Sequence, residues 1–239
     1  MRKLSFLFVI VFALAAAAVN VAAQSVRQSF EEGTRAAVNA EYERALENYR
    51  RAILDTENEK TGDDFRARIH FNIGVCLYHL KQNAEAVNEF NRAITLSNRT
   101  YQKAFYVLGM AQAKLKNWGK AEAAFREAIR LKKDDAEAWF DLGLVLLEEE
   151  DFRAAEKAFQ NSLRHKTIAA ADAHNNLGVI YVLRGNFASA EREFEAALIE
   201  SKGASEVARN NLEFCKSYKQ NFSGDLSAKL EFGRYISEQ

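Results

Sequence analysis

Proline is absent from all 239 residues, which permits long helices and short turns throughout. An excess of either charge is also missing, with 33 basic against 33 acidic residues. Nothing in that balance supplies the positive field of a non-specific nucleic-acid binder, so no nucleic-acid partner is expected. The four histidines form no ligand set. His79 and His165 stand alone, and no His or Cys sits at a zinc-site spacing, so no metal is expected. There is no Gly-rich phosphate loop and no Gly-x-Ser-x-Gly elbow. No catalytic constellation stands out, so the chain reads as a non-enzyme without a cofactor. The run Glu148-Glu149-Glu150-Asp151 is a solvated helix–helix turn on this reading, not a cation site.

The first 23 residues are a separate matter. Arg2 and Lys3 precede a nearly unbroken apolar run from Leu4 to Val19, and Val21-Ala22-Ala23 supplies small residues before a cleavage point. This is the pattern of a secretory signal peptide cut after Ala23. The run is short for a membrane span of about 20 residues. A retained anchor is the alternative; after cleavage no stable membrane span is expected. The expected location is secreted or periplasmic.

What is present is a period. Gly74, Gly109, Gly143 and Gly178 fall 35, 34 and 35 residues apart. Twelve residues after each comes Ala86, Ala121, Ala155 or Ala190, and four further on Phe90, Phe125, Phe159 or Phe194. A fixed spacing of this length signals stacked supersecondary units. Numbering each unit from seven residues before its glycine gives 67–101, 102–135, 136–170 and 171–204. Position four holds His70, Phe105, Trp139 and His174; position seven holds Ile73, Leu108, Leu142 and Leu177. With position eleven they trace one face of a first helix, and the Ala and Phe belong to a second. Glycine inside a helix costs about 1 kcal/mol against alanine. Four glycines at one site therefore imply close approach of the paired helix. His70 and His174 fill the large-residue site and read as packed structural residues.

A degenerate copy spans 26–57, with Gly33, Ala45 and Tyr49 in the Gly, Ala and Phe places. Its Ser29, Glu32 and Ala36 stand where other copies are large and apolar, as expected of a terminal repeat whose outer face meets water. A charged loop, 58–66, takes up the surplus length. Residues 205–219 read as one capping helix. The tail, 220–239, leaves the period, and its Leu226, Leu230, Phe232, Tyr235 and Ile236 are too apolar for plain disorder.

The pattern closely resembles the tetratricopeptide repeat family. Trp139, Leu142 and Gly143, then Ala121, Phe125 and Ala128, carry the resemblance. The family's closing proline is replaced by Asn98, Lys133, Thr167 and Lys202. The resemblance implies an all-α fold, a right-handed α-solenoid of antiparallel helix pairs with a C-terminal capping helix. In such a solenoid Cys76 and Cys215 lie several repeats apart, beyond the reach of a disulfide. They read as buried thiols.

The resemblance also implies where binding takes place. The family's concave surface is lined by positions two, five, nine and twelve of the first helices. Here these include Arg68, Phe71, Val75, Tyr78, Lys103, Tyr106, Met110, Glu137, Phe140, Leu144 and Asn175. The expected groove is apolar and aromatic. Position two grades from Arg27, Arg68 and Lys103 to Glu137 and Asp172, a charge order that would orient a peptide with its acidic end toward the N-terminal repeats. The expectation is a protein- or peptide-binding scaffold, in a bacterial envelope or secretion assembly. The alternatives are a self-associating structural protein, or an enzyme or carbohydrate binder that uses the tail.

Overall fold

The protein is described here by a computed structural model covering residues 25–57 and 62–220. The proposed signal peptide, residues 58–61 of the charged stretch and the tail beyond Gln220 lie outside the described residues. Among those described, secondary structure is helix and turn alone. The chain divides into two compact units between Ala111 and Gln112. The first holds α1 (25–38), α2 (Tyr42–Glu57), α3 (Asp63–His79), α4 (Asn83–Leu96) and most of α5 (Gln102–Lys114). The second holds the end of α5, then α6 (Trp118–Leu131), α7 (Ala136–Glu148), α8 (Phe152–Arg164), α9 (Ala170–Leu183), α10 (Phe187–Glu200) and α11 (Glu206–Gln220). No described helix is long and apolar enough to cross a membrane.

A chain without proline must end its helices another way. Each first helix stops in a turn whose second residue has positive φ: Ala40, Lys81, Lys116, Glu150 and Gly185. Each lies seven residues after the repeat glycine. The residue after it donates its N–H back to a carbonyl five residues earlier, as in Gln82 to Leu77 at 2.8 Å and Asp151 to Leu146 at 2.9 Å. This is a Schellman closure, which satisfies the last carbonyls of the helix. Asp151 then serves the next helix. Its carboxylate accepts from the Ala154 N–H at 3.0 Å, so the last acid of the Glu-Glu-Glu-Asp run is a helix cap.

Glycine and phenylalanine of each repeat meet. A Cβ placed on Gly74 would lie 2.5 Å from the Phe90 ring; on Gly143, 2.7 Å from Phe159; on Gly178, 2.5 Å from Phe194. Gly33 faces Tyr49 at 2.9 Å in the same manner. The three Phe rings are wholly buried, each contributing about 1.5–3 kcal/mol by leaving water. The close approach inferred from the glycines is thus a seat for one aromatic ring.

Two expectations need correction. The charged loop does not reach residue 66, because α3 begins at Asp63. Asp63 and Asp64 occupy its first turn, where carboxylates favour the positive end of a helix dipole. Nor do the odd residues of α1 all meet water. Ser29 and Ala36 are buried, so small and polar side chains here fill interior space opposite α2. Cys76 and Cys215 are both buried, and burial pushes the Cys76 thiol up to about 11.

Candidate functional site

In the N-terminal unit the first helices α1, α3 and α5 present the residues expected to line a groove. Phe71, Val75, Tyr78, Tyr106 and Met110 are half-buried, and Arg68 and Lys103 are exposed. Phe71 lies on Phe90 at 6.1 Å between ring centroids and on Tyr101 at 4.9 Å. Burial holds the Tyr101 hydroxyl above its ordinary range, with Arg68 pulling the other way.

An open groove of about 700 Å³ lies at the N-terminal end of this face. Arg27, Phe30, Thr34, Arg35 and Val38 reach it from α1, a spacing that marks one side of a helix. Phe65 and Arg68 reach it from the first turns of α3. The rings of Phe30 and Phe65 are 5.0 Å apart, and the Arg68 guanidinium sits 5.3 and 5.6 Å from their centroids. Thr34 fixes the floor. Its hydroxyl donates to the Phe30 carbonyl at 2.9 Å and accepts from the Tyr49 hydroxyl at 3.1 Å.

Arg35 and Phe65 are groove residues missing from the sequence-based set. Phe65 falls in the stretch that its charged neighbours mark as a loop. Once α3 starts at Asp63, Phe65 stands one turn before Arg68 on the same side. Arg35 follows Arg27 by eight residues, two helical turns, and that spacing was the available signal.

The second unit corrects the rest of the set. Phe140, Leu144 and Asn175 do not line an open surface, for they are 1, 4 and 1% exposed. Phe140 packs on Phe159 with centroids 5.6 Å apart. Asn175 accepts from the Asn211 side chain of α11 at 2.9 Å. Val179 and Val182, at positions nine and twelve of the last repeat, are buried in one cluster with Leu212 and Cys215 of α11. The capping helix covers the very positions that would otherwise face a ligand. Glu137 is also occupied. Its carboxylate accepts from the Thr167 hydroxyl and from the Ile168 N–H, both at 2.9 Å. Asp172 is half-buried, and burial pushes its carboxyl up. The acidic half of the expected charge gradient is therefore half-buried, with Glu137 bound to the 167–168 turn.

The helix-pair pattern agrees with a known family. The tetratricopeptide repeat profile matches residues 30–100, 106–152 and 140–205, well over half of the chain. The chain belongs to the tetratricopeptide repeat family. A search of curated proteins returns no match. Among solved structures, the crystal structure of a MamA protein is 18% identical with a TM-score of 0.66, covering 85% of this chain and 99% of that one. Residues 41 to the end of MamA from Desulfovibrio magneticus RS-1 are 18% identical with a TM-score of 0.67, covering 76% and 98%. YrrB, described as a TPR protein with an unusual peptide-binding site, is 22% identical with a TM-score of 0.67, covering 84% and 97%. At these identities the likeness shows the fold, an all-α array of the α-solenoid class. Among the described residues, no group of three His, Cys, Asp or Glu side chains is placed to hold a metal.

Proposed function

We propose that this tetratricopeptide repeat protein is a non-enzymatic scaffold that holds a protein or peptide on the first-helix face of its N-terminal unit. One observation carries the reading. In that unit Phe71, Val75, Tyr78, Tyr106 and Met110 stay half-exposed, while the matching positions of the last repeat are buried under α11. A row of partly exposed apolar side chains in a folded unit marks a binding surface. YrrB, with its peptide-binding site, is a precedent for the same fold in that role. The proposed setting is a bacterial envelope or secretion assembly. It rests on the basic start and apolar run of residues 1–23, and a mature protein beginning at Gln24 is the expected product.

Crosslinking pull-down from an envelope extract tests the scaffold. The comparison is between wild type and the pair Val75→Gln with Met110→Gln, which places polar groups on the face. Urea unfolding of both proteins confirms that the variant is folded. The expected result is a crosslinked protein held by wild type and lost by the variant. Identical captured proteins from both would end this reading.

A further inference from the structure

Leaving aside Arg99, whose guanidinium lies 5.2 Å from the Phe105 ring centroid, the described arginines of the N-terminal unit fall into two groups. Arg44, Arg50, Arg51, Arg66 and Arg92 each have a carboxylate within 4.0 Å: Glu41, Glu85, Glu47, Asp63 and Glu89. Arg27, Arg35 and Arg68, which line the 700 Å³ groove, have no ion pair among the described residues. Glu31 lines the groove too, four residues from both Arg27 and Arg35, yet pairs with neither. A unit that pairs five of its arginines with carboxylates leaves three together around one opening. The floor between them is aromatic, made of Phe30 and Phe65, with Arg68 held across both rings.

We propose that this groove takes an acidic segment of a partner protein, whose carboxylates meet Arg27, Arg35 and Arg68 and whose apolar side chains lie on Phe30 and Phe65. The proposal rests on the scaffold reading above and specifies its ligand. Charge complementarity selects the sign of the partner and speeds its approach. The planar guanidinium suits carboxylate, offering paired N–H donors in one plane. The apolar floor favours a peptide over a bare inorganic polyanion, which would leave those rings unused. The absence of any net positive charge on the chain argues the same way.

The test is fluorescence anisotropy with the full chain. The probe is a labelled peptide of about eight residues, which spans ~25 Å when extended. It alternates Glu with Leu and Phe, and its counterpart carries Lys in place of each Glu. The acidic peptide binds, the basic one does not, and affinity falls at least about tenfold as salt rises and screening strengthens. Arg35→Glu with Arg68→Glu weakens binding by at least about tenfold for each charge reversed. Glu31→Lys tightens it. Circular dichroism and urea unfolding establish that each variant is folded.

Absence of acidic-peptide binding overturns the proposal, as does equal binding of the two peptides. So does an unlabelled single-stranded oligonucleotide that competes as well as the acidic peptide. If binding appears only after residues 221–239 are removed, the occupant is this chain's own tail and the proposal falls. A crosslinked partner that Arg35→Glu with Arg68→Glu still retains would also overturn it, while the scaffold reading stood. Identical capture by wild type and by the Val75→Gln with Met110→Gln variant defeats the scaffold reading first.

Discussion

The two units use one repeat position in opposite ways. At position five the N-terminal unit has Phe30, Phe71 and Tyr106, all half-buried; the C-terminal unit has Phe140 and Asn175, both 1% exposed. Position two follows suit. Arg68 makes no ion pair among the described residues, whereas Glu137 fixes the 167–168 turn with two hydrogen bonds. Both units share the Gly–Phe contact, so the difference does not lie in the helix pair. At the last repeat it lies in what covers the first helix. Beside α9 stands α11, which closes over Asn175, Val179 and Val182. The repeat period determines which residues share a face, and the neighbouring element decides whether that face stays open.

The largest expected effect tests that contrast in stability. Phe140→Ala empties a filled site and costs about 3–5 kcal/mol. Phe71→Ala removes a ring that is already partly in water and costs about 1–2 kcal/mol. Urea unfolding of the two variants measures both. Equal losses would mean that Phe71 is as much a core residue as Phe140, and the two faces would not differ.

A second prediction concerns pairs that cross each repeat. His70 Nδ1 lies 2.6 Å from Glu89 Oε2, and His174 Nδ1 lies 2.7 Å from Glu193 Oε2. Both are position four against position twenty-three. Where position four is Phe105 or Trp139, position twenty-three is Ala124 or Ala158. A large ring is matched with a small residue, and an imidazole with a carboxylate. Glu89→Ala should cost about 2–3 kcal/mol, since it strands a buried polar ring. Glu193→Ala should cost less, because His174 and Glu193 side chains are 22 and 25% exposed against 10 and 15% for His70 and Glu89. Adding His174→Trp to Glu193→Ala transplants the third-repeat pair and should restore most of the loss. Thermal unfolding of the three variants reads the outcome. Failure of the transplant would show that the match between the two positions is not the cause of either choice.

Much of this was legible in the chain. The spacing of Gly74 with Phe90, and of Gly178 with Phe194, located the tightest contact of each pair. The His and Glu match was equally available, at a fixed nineteen-residue separation, to anyone comparing copies at two positions at once. Burial at position five was not available. Asn175 is polar, so its side chain says nothing of being interior. It is buried under α11, a helix outside the period, whose Asn211 donates a hydrogen bond to it. Phe65 was missed for a related reason. Its neighbours Asp63 and Asp64 resemble a loop by charge, yet two acids in series also suit the first turn of a helix.

The smallest expected effect separates the charges of the two units. Glu137→Ala loses two hydrogen bonds to a carboxylate and should cost about 1–2 kcal/mol. Arg68→Ala loses only the contacts of an exposed cation with two rings, worth about 0.5 kcal/mol. Arg68→Ala should therefore leave the unfolding midpoint almost unchanged while weakening acidic-peptide binding. If Arg68→Ala destabilises as much as Glu137→Ala, the guanidinium is a structural lid on Phe30 and Phe65. The N-terminal face would then have no cation to spare at that point, and its charge, like that of Glu137, would belong to the fold.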